Sequence, residues 1–188
     1  MEKPLEREEE ISPSAVDQEA QQVEAARSDP QAFGKLYDRY ARSIFRYLLS
    51  RVGNLQVAQD LTSQTFIKAL EALPAYRQRG YFSAWLFSIA RNQSVDYFRR
   101  NKRWPAIISE EAIDPQTDPL SRVIMTERQQ KLKALIAALP EQDEELLRLR
   151  YVSELSFAEM AQVLRIREAA AKQRVYRLIN RLQNEMED

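Results

Sequence analysis

The chain contains no cysteine and no histidine. Without thiols it can form no disulfide and offers no thiolate nucleophile. Without imidazole it loses the commonest general base and transition-metal ligand, so ordinary zinc sites and much hydrolytic chemistry are excluded. Glycine is almost as scarce: Gly34, Gly53 and Gly80 are the only three in 188 residues. That count leaves no glycine-rich phosphate loop and favours helices joined by short connections. No apolar run approaches the ~20 residues of a membrane span. The start, Met1-Glu2-Lys3-Pro4-Leu5-Glu6, lacks a signal peptide's apolar stretch, so a cytoplasmic protein is expected. The acidic side chains read as lying on exposed helix faces, with no nucleophile or metal cluster beside them. No enzyme, metal or cofactor is therefore expected.

What the chain does have is charge, and the charge is segregated. The 28 basic and 28 acidic residues cancel overall. Residues 1–24 nevertheless hold eight acids and two bases, and residues 75–104 hold seven bases against Asp96 alone. Residues 105–127 carry five acids and one base, and residues 165–181 carry six bases against Glu168. Two basic islands separated by acidic stretches suit a protein with two nucleic-acid contacts, because phosphate binding follows local charge. The acidic start also suggests electrostatic shielding of the first island.

Hydrophobic content of 44% supports a core, and its periodicity is helical. Asp29-Pro30 and Asp118-Pro119 each read as an N-cap with proline at the first helical position. Helices are expected over 30–52, 54–73, 81–103, 119–139, 141–152, 156–164 and 168–186. Gly53-Asn54 ends the first and Leu73-Pro74 the second. Ser12-Pro13 starts a short helix with Val16, Ala20 and Val23 on one face, after a disordered stretch of about twelve residues. The expected fold is all-α, with two small helical domains joined by an acidic, proline-containing linker. Its parts are an acidic N-terminal extension (1–28), a first domain (29–104), the linker (105–118) and a second domain (119–188).

The segment from Tyr81 to Arg103 is the most informative. Phe82, Trp85, Leu86 and Ile89 share one face and belong to the core. Arg91, Asn92, Arg99, Arg100 and Arg103 fall mostly away from it, where a rigid helix holds cations toward phosphates. The preceding loop, Tyr76 to Phe82, carries Arg77, Arg79 and Tyr81, an aromatic and cationic mixture suited to trapping unstacked bases.

Near the C-terminus, Ser156-Phe157-Ala158-Glu159 has the form of a capping box. Phe157, Met160, Ala161 and Leu164 follow as a short apolar stripe. A turn at Arg165-Ile166-Arg167 leads to a longer helix from Glu168, with Ala171, Val175, Leu178 and Leu182 facing inward. This is a helix-turn-helix pattern. Lys172, Gln173, Arg174, Tyr176 and Arg177 are its candidate DNA contacts, since cations meet phosphate or guanine and amides meet adenine.

The ordered pieces resemble bacterial sigma factors of the extracytoplasmic-function group of the sigma-70 family, from about Ala32 to Leu182. Ala32-Phe33-Gly34-Lys35-Leu36-Tyr37-Asp38-Arg39-Tyr40 resembles the opening helix, and residues 58–70 the segment that grips the clamp helices of RNA polymerase. Phe82-x-x-Trp85-Leu86-x-x-Ile89-Ala90-x-Asn92-x-x-x-Asp96 resembles the promoter-melting and −10 segment. Ala138-Leu139-Pro140 with Leu146-x-x-Leu149-Arg150-Tyr151 resembles the start of the −35-binding domain.

The resemblance implies a factor that binds core RNA polymerase and promoter DNA, recognises −10 and −35 elements and helps melt DNA, with an anti-sigma factor as a further partner. Asp60, Ser63, Gln64 and Lys68, on a face opposite Leu61, Phe66 and Leu70, are the implied polymerase contacts. The chain departs from the family pattern in Gln59 and Gln64, where glutamate is usual, and at the turn, with Arg165 in the place of glycine and Arg167 in that of a serine-like cap. A sigma-like adaptor that binds protein alone is the alternative. It predicts eroded basic faces, whereas Arg99, Arg100, Lys102 and Arg103 are all present.

Overall fold

The computed structural model describes residues 13–77, 80–101 and 127–187, with the side chains from residue 18 onward. The expected disordered stretch, the 105–118 linker, the Asp118-Pro119 cap, Arg79 and Arg103 lie outside the described residues, as does the side chain of Val16. Among the described residues every regular element is helical.

Helix α1 spans Pro13–Ala25, α2 Pro30–Val52, α3 Leu55–Ala72 and α4 Phe82–Asn101. Asp29 caps α2 by accepting the Gln31 amide at 2.8 Å, with Pro30 inside the first turn. Gly53 closes the helix in the left-handed conformation (φ 64°). Asn54 then caps α3, accepting from the Val57 amide at 2.9 Å. Helix α3 tightens into a 3₁₀ turn over Leu73–Ala75 instead of stopping at Leu73-Pro74.

Helices α2, α3 and α4 pack on one another around Leu36, Ile44, Leu48, Ala58, Leu61, Phe82, Leu86 and Phe87. Helix α1 lies against α2 and α4 and buries Val23, with Ala26 buried just past its end. Its Glu19 accepts from the Tyr40 hydroxyl and pairs with Arg39 at 3.6 Å, so this acid serves packing on α2 and not shielding of the α4 cations.

The second group comprises α5 (Glu127–Ala137), α6 (Glu141–Leu147), α7 (Phe157–Leu164) and α8 (Glu168–Glu187). Expected as one helix over 141–152, α6 instead widens beyond Leu147 into a π-helical stretch at Arg148–Val152, where Ser153 N–H bonds Arg148 O at 2.9 Å. Leu149, Leu155, Met160, Val163, Ala171, Val175, Leu178 and Leu182 are buried.

The two groups meet along a seam. The π-helical stretch lies on α2 and α7 lies on α4, and a single apolar cluster runs through both. Three acids expected on exposed faces are in fact buried: Glu19, Glu145 and Glu159. Each has a hydroxyl or guanidinium partner, as burial of a charge requires.

Candidate nucleic-acid interface

The helix-turn-helix is built by local chemistry. Ser156 Oγ accepts the Glu159 amide at 3.2 Å, and the Glu159 carboxylate accepts the Ser156 amide at 2.7 Å, which completes the capping box. Arg165 ends α7 in the left-handed region (φ 55°), and Ile166 N–H closes the turn on Ala161 O at 3.0 Å. A side chain with a Cβ pays about 1–2 kcal/mol for that conformation. Arg165→Gly should therefore stabilise the protein by about 0.5–1 kcal/mol after glycine's larger unfolded-state entropy is counted, a rise in Tm of roughly 2 °C. Thermal unfolding followed by circular dichroism checks it; a fall in Tm would mean that the arginine side chain stabilises the turn by more than the strain it bears.

Helix α8 buries Ala171, Val175, Leu178 and Leu182, as its periodicity predicts. Gln173, Arg174 and Arg177 stand exposed on the opposite side, and Lys172 is half-buried. Tyr176 is less available than expected. It is half-buried with its ring 5.9 Å from that of Phe157, over which Arg150 lies at 4.8 Å. That stack ties α8 to α7 and sets the angle at which the three exposed side chains leave the surface.

The α4 candidates divide. Asn92, Arg99 and Arg100 are exposed; Arg99 pairs with Asp96 at 3.0 Å and Arg100 Nε reaches Asp96 O at 3.3 Å. Arg91 is half-buried, and its Nε lies 3.3 Å from the Glu145 carboxylate across the seam. Arg77 is exposed. Tyr81 is half-buried with its amide held by Gln162. Tyr76 does not line an open pocket: its ring packs 4.6 Å from Trp85 and 5.8 Å from Phe82, and it is buried. Desolvation of its phenol, aided by the Glu19 charge, raises its pKa, as expected for a ring built into the wall of the domain.

On α3, Asp60, Ser63, Gln64 and Lys68 form an exposed face, but Leu70 does not lie opposite it. Ile67 and Leu70 are 57% and 49% exposed, which puts apolar area within the polar face. Tyr37 of α2 adds to this surface, 44% exposed with its ring 4.7 Å from Phe66. The sequence carried the signal for Ile67, since seven residues after Asp60 is two helical turns on the same side. Large exposed aliphatic side chains among short polar ones suit protein docking better than nucleic acid.

Residues 36–104 match Sigma-70 region 2 and residues 129–182 match Sigma-70, region 4. The chain is 34% identical over 165 residues to the ECF RNA polymerase sigma factor BldN of Streptomyces coelicolor, a match that covers 85% of this chain and 62% of BldN. It is 31% identical over 150 residues to the ECF RNA polymerase sigma factor SigM of Bacillus subtilis, covering 79% of this chain and 91% of SigM. The sigma factor RpoE of Bartonella quintana, solved in complex with the anti-sigma factor NepR, shares the fold. Its TM-score is 0.61 at 21% identity, over 82% of this chain and 96% of that one. With both regions present in order and SigM matched over nearly its whole length, the chain belongs to the extracytoplasmic-function group of the sigma-70 family of RNA polymerase sigma factors.

Proposed function

We propose that this chain is a promoter-specificity subunit acting in the cytoplasm, with three surfaces divided among its helices. The α3 face of Asp60, Ser63, Gln64 and Lys68, extended by Ile67 and Leu70, docks on core RNA polymerase. The α4 side chains Arg91, Asn92, Arg99 and Arg100, with Arg77, Arg79, Tyr81 and Arg103, hold the melted −10 strand. Lys172, Gln173, Arg174 and Arg177 of α8, oriented by Tyr176, read the −35 duplex. The division into a −10 domain at 29–104 and a −35 domain at 119–188 follows the same surfaces, and an anti-sigma factor of the kind that RpoE binds is the expected antagonist.

The observation that carries this reading is the α8 face. Four buried apolar residues fix the helix, and an amide and two guanidiniums project from the opposite side. Such groups pair with base edges in a major groove, each good bidentate contact being worth about 1–3 kcal/mol. Transcription in vitro from a pooled library of genomic fragments, with core polymerase with and without this protein, tests it. New start sites with two spaced upstream motifs are the expected result; no new starts despite polymerase binding would favour the protein-only adaptor. Arg177→Ala should then weaken −35 duplex binding roughly tenfold while polymerase binding is retained. Loss of polymerase binding in that variant would misassign the face.

A further inference from the structure

The turn between α7 and α8 carries two arginines whose side chains its folding does not use. Arg165 holds the left-handed conformation (φ 55°, ψ 44°), which glycine adopts without steric cost. The turn is closed by backbone alone: Arg165 N–H bonds Gln162 O at 3.3 Å, and Ile166 N–H bonds Ala161 O at 3.0 Å. The Arg165 guanidinium has no part in either bond and stands exposed. Arg167 directly precedes α8, where Ser, Thr, Asp or Asn would accept a helix amide. Arginine has no acceptor, so its side chain cannot cap. Its carbonyl serves the helix instead, accepting from Ala170 at 2.9 Å and Ala171 at 3.1 Å, and its guanidinium is exposed as well.

Other arginines of the same domain are engaged. Arg148 pairs with Glu144 at 2.6 Å, Arg150 bonds Leu155 O at 2.9 Å, and Arg181 lies 3.6 Å from Asp143 and 3.7 Å from Glu185. Arg165, Arg167, Arg174 and Arg177 make no ion pair or side-chain hydrogen bond among the described residues. Glu168, exposed beside the turn, pairs with neither of its arginines. A strained backbone position that holds an unpaired cation at the surface points to a ligand outside the chain.

The spacing identifies the ligand. Between Arg167 and Lys172 the side chains are one carboxylate and three methyls, so nothing there donates a hydrogen bond. The cations thus fall into two clusters, one in the turn and one around Arg174 and Arg177, about 10–15 Å apart along the axis of α8. A major groove is ~12 Å wide between its two phosphate backbones. When a recognition helix enters that groove, the preceding turn stands beside one backbone.

We propose that Arg165 and Arg167 form a phosphate clamp that holds one backbone of the −35 duplex, leaving base reading to the side chains further along α8. The inference rests on the assignment of α8 to duplex DNA. Two guanidinium forks match phosphate oxygens in charge and geometry. Such contacts fix the register of the helix and carry no sequence information, so they add affinity equally on every duplex.

The test uses the full chain and fluorescein-labelled duplexes of two unrelated mixed sequences, titrated by anisotropy at several salt concentrations. Arg165→Gly with Arg167→Ser should weaken binding to both at least about tenfold at ~0.15 M salt. The slope of log affinity against log salt should become shallower by about 1.8, or 0.9 for each phosphate released. Both changes suit the fold, since glycine relieves the turn and serine supplies a cap, so Tm should rise while affinity falls. Side chains that served structure alone would move the two together. Arg165→Lys with Arg167→Lys keeps the charge and should keep the slope, and affinity for core polymerase should not change in either double variant. Arg167→Ser alone, which leaves the turn untouched, should give about half of the slope change.

Parent-like affinity and slope in the Gly/Ser double variant, with both reduced by Arg174→Ala and Arg177→Ala together, overturns the clamp and leaves the α8 reading standing. If neither pair of changes moves the slope, α8 does not meet duplex DNA and the clamp falls with it. A loss of polymerase affinity at an unchanged duplex slope would put the two arginines against an acidic protein surface and overturn the proposal equally.

Discussion

Changing Ile67 to aspartate is expected to weaken binding to core RNA polymerase about a hundredfold, the loss of one interface anchor worth ~3 kcal/mol. Ile67 is 57% exposed in the middle of the α3 face, and Leu70 and Tyr37, at 49% and 44%, are exposed as well. An aliphatic side chain held there gains little in the free protein and is buried only when a partner covers it. A carboxylate in its place would be desolvated without a counter-charge, which adds to the lost contact. Because the site is exposed, folding stability should change by no more than about 0.5 kcal/mol. Lys68→Ala, by contrast, removes an exposed cation from the same face, and such charges typically contribute ~1 kcal/mol or less. Polymerase affinity measured by surface plasmon resonance, with duplex binding through α8 as the control, separates the two. Equal and small effects of Ile67→Asp and Lys68→Ala would mean that the α3 face does not dock on polymerase.

What the sequence revealed, and what it hid, follows the range of the interactions involved. The bounds of α2 come from residues adjacent to its ends: Asp29 and Pro30 at the start, Gly53 at the finish. The helix-turn-helix is equally local, since its capping box spans four residues and its inward stripe repeats every three or four. Glu145 is the opposite case. Its partners Tyr47 and Arg51 are 98 and 94 positions away, and nothing around it marks it as anything but a solvated helix glutamate. The capping role of Glu159 is legible in Ser156-x-x-Glu159, but its second role, accepting from Ser83, depends on the docking of two domains. The π-helical stretch escaped for a related reason: its widening at Arg148–Val152 is set by packing on α2, where Arg148 meets Ser50, and not by a residue that breaks helices. Leu70 lies on the exposed side of α3, not on the inward side that its apolar character suggests. A helical wheel puts it next to Ser63, but an apolar residue in an amphipathic helix is read by default as inward-facing. The sequence reads as a loop from Tyr76 to Phe82, whereas the 3₁₀ turn over Leu73–Ala75 brings the Tyr76 ring against both Phe82 and Trp85.

Phe82→Ala should destabilise the protein by about 3–5 kcal/mol, the usual cost of emptying a buried phenylalanine site. Phe82 is 1% exposed, and its ring lies 5.8 Å from Tyr40, 5.8 Å from Tyr76 and 5.3 Å from Trp85. Three aromatic neighbours from three segments cannot all collapse into the cavity, because Tyr40 is tethered by its hydrogen bond to Glu19, Trp85 belongs to α4 itself, and the Tyr76 amide is bonded to Leu73 O at the end of the 3₁₀ turn. In a chain of this length the loss corresponds to a fall in Tm of roughly 10 °C. Phe82 is also the first residue of α4, between Tyr81, whose amide Gln162 holds, and Ser83, which bonds Glu159. The cavity therefore opens at the place where the core of the first domain, the seam and the proposed single-strand surface meet. Near-ultraviolet circular dichroism should lose aromatic signal, and single-strand affinity should become erratic with temperature before helix content falls. Duplex binding by Gln173, Arg174 and Arg177 should persist, since their support comes from Ala171, Val175, Leu178 and Leu182 in the other domain. A loss below about 1 kcal/mol would show that the neighbours do close the gap, and that the aromatic cluster is looser than its ring distances imply.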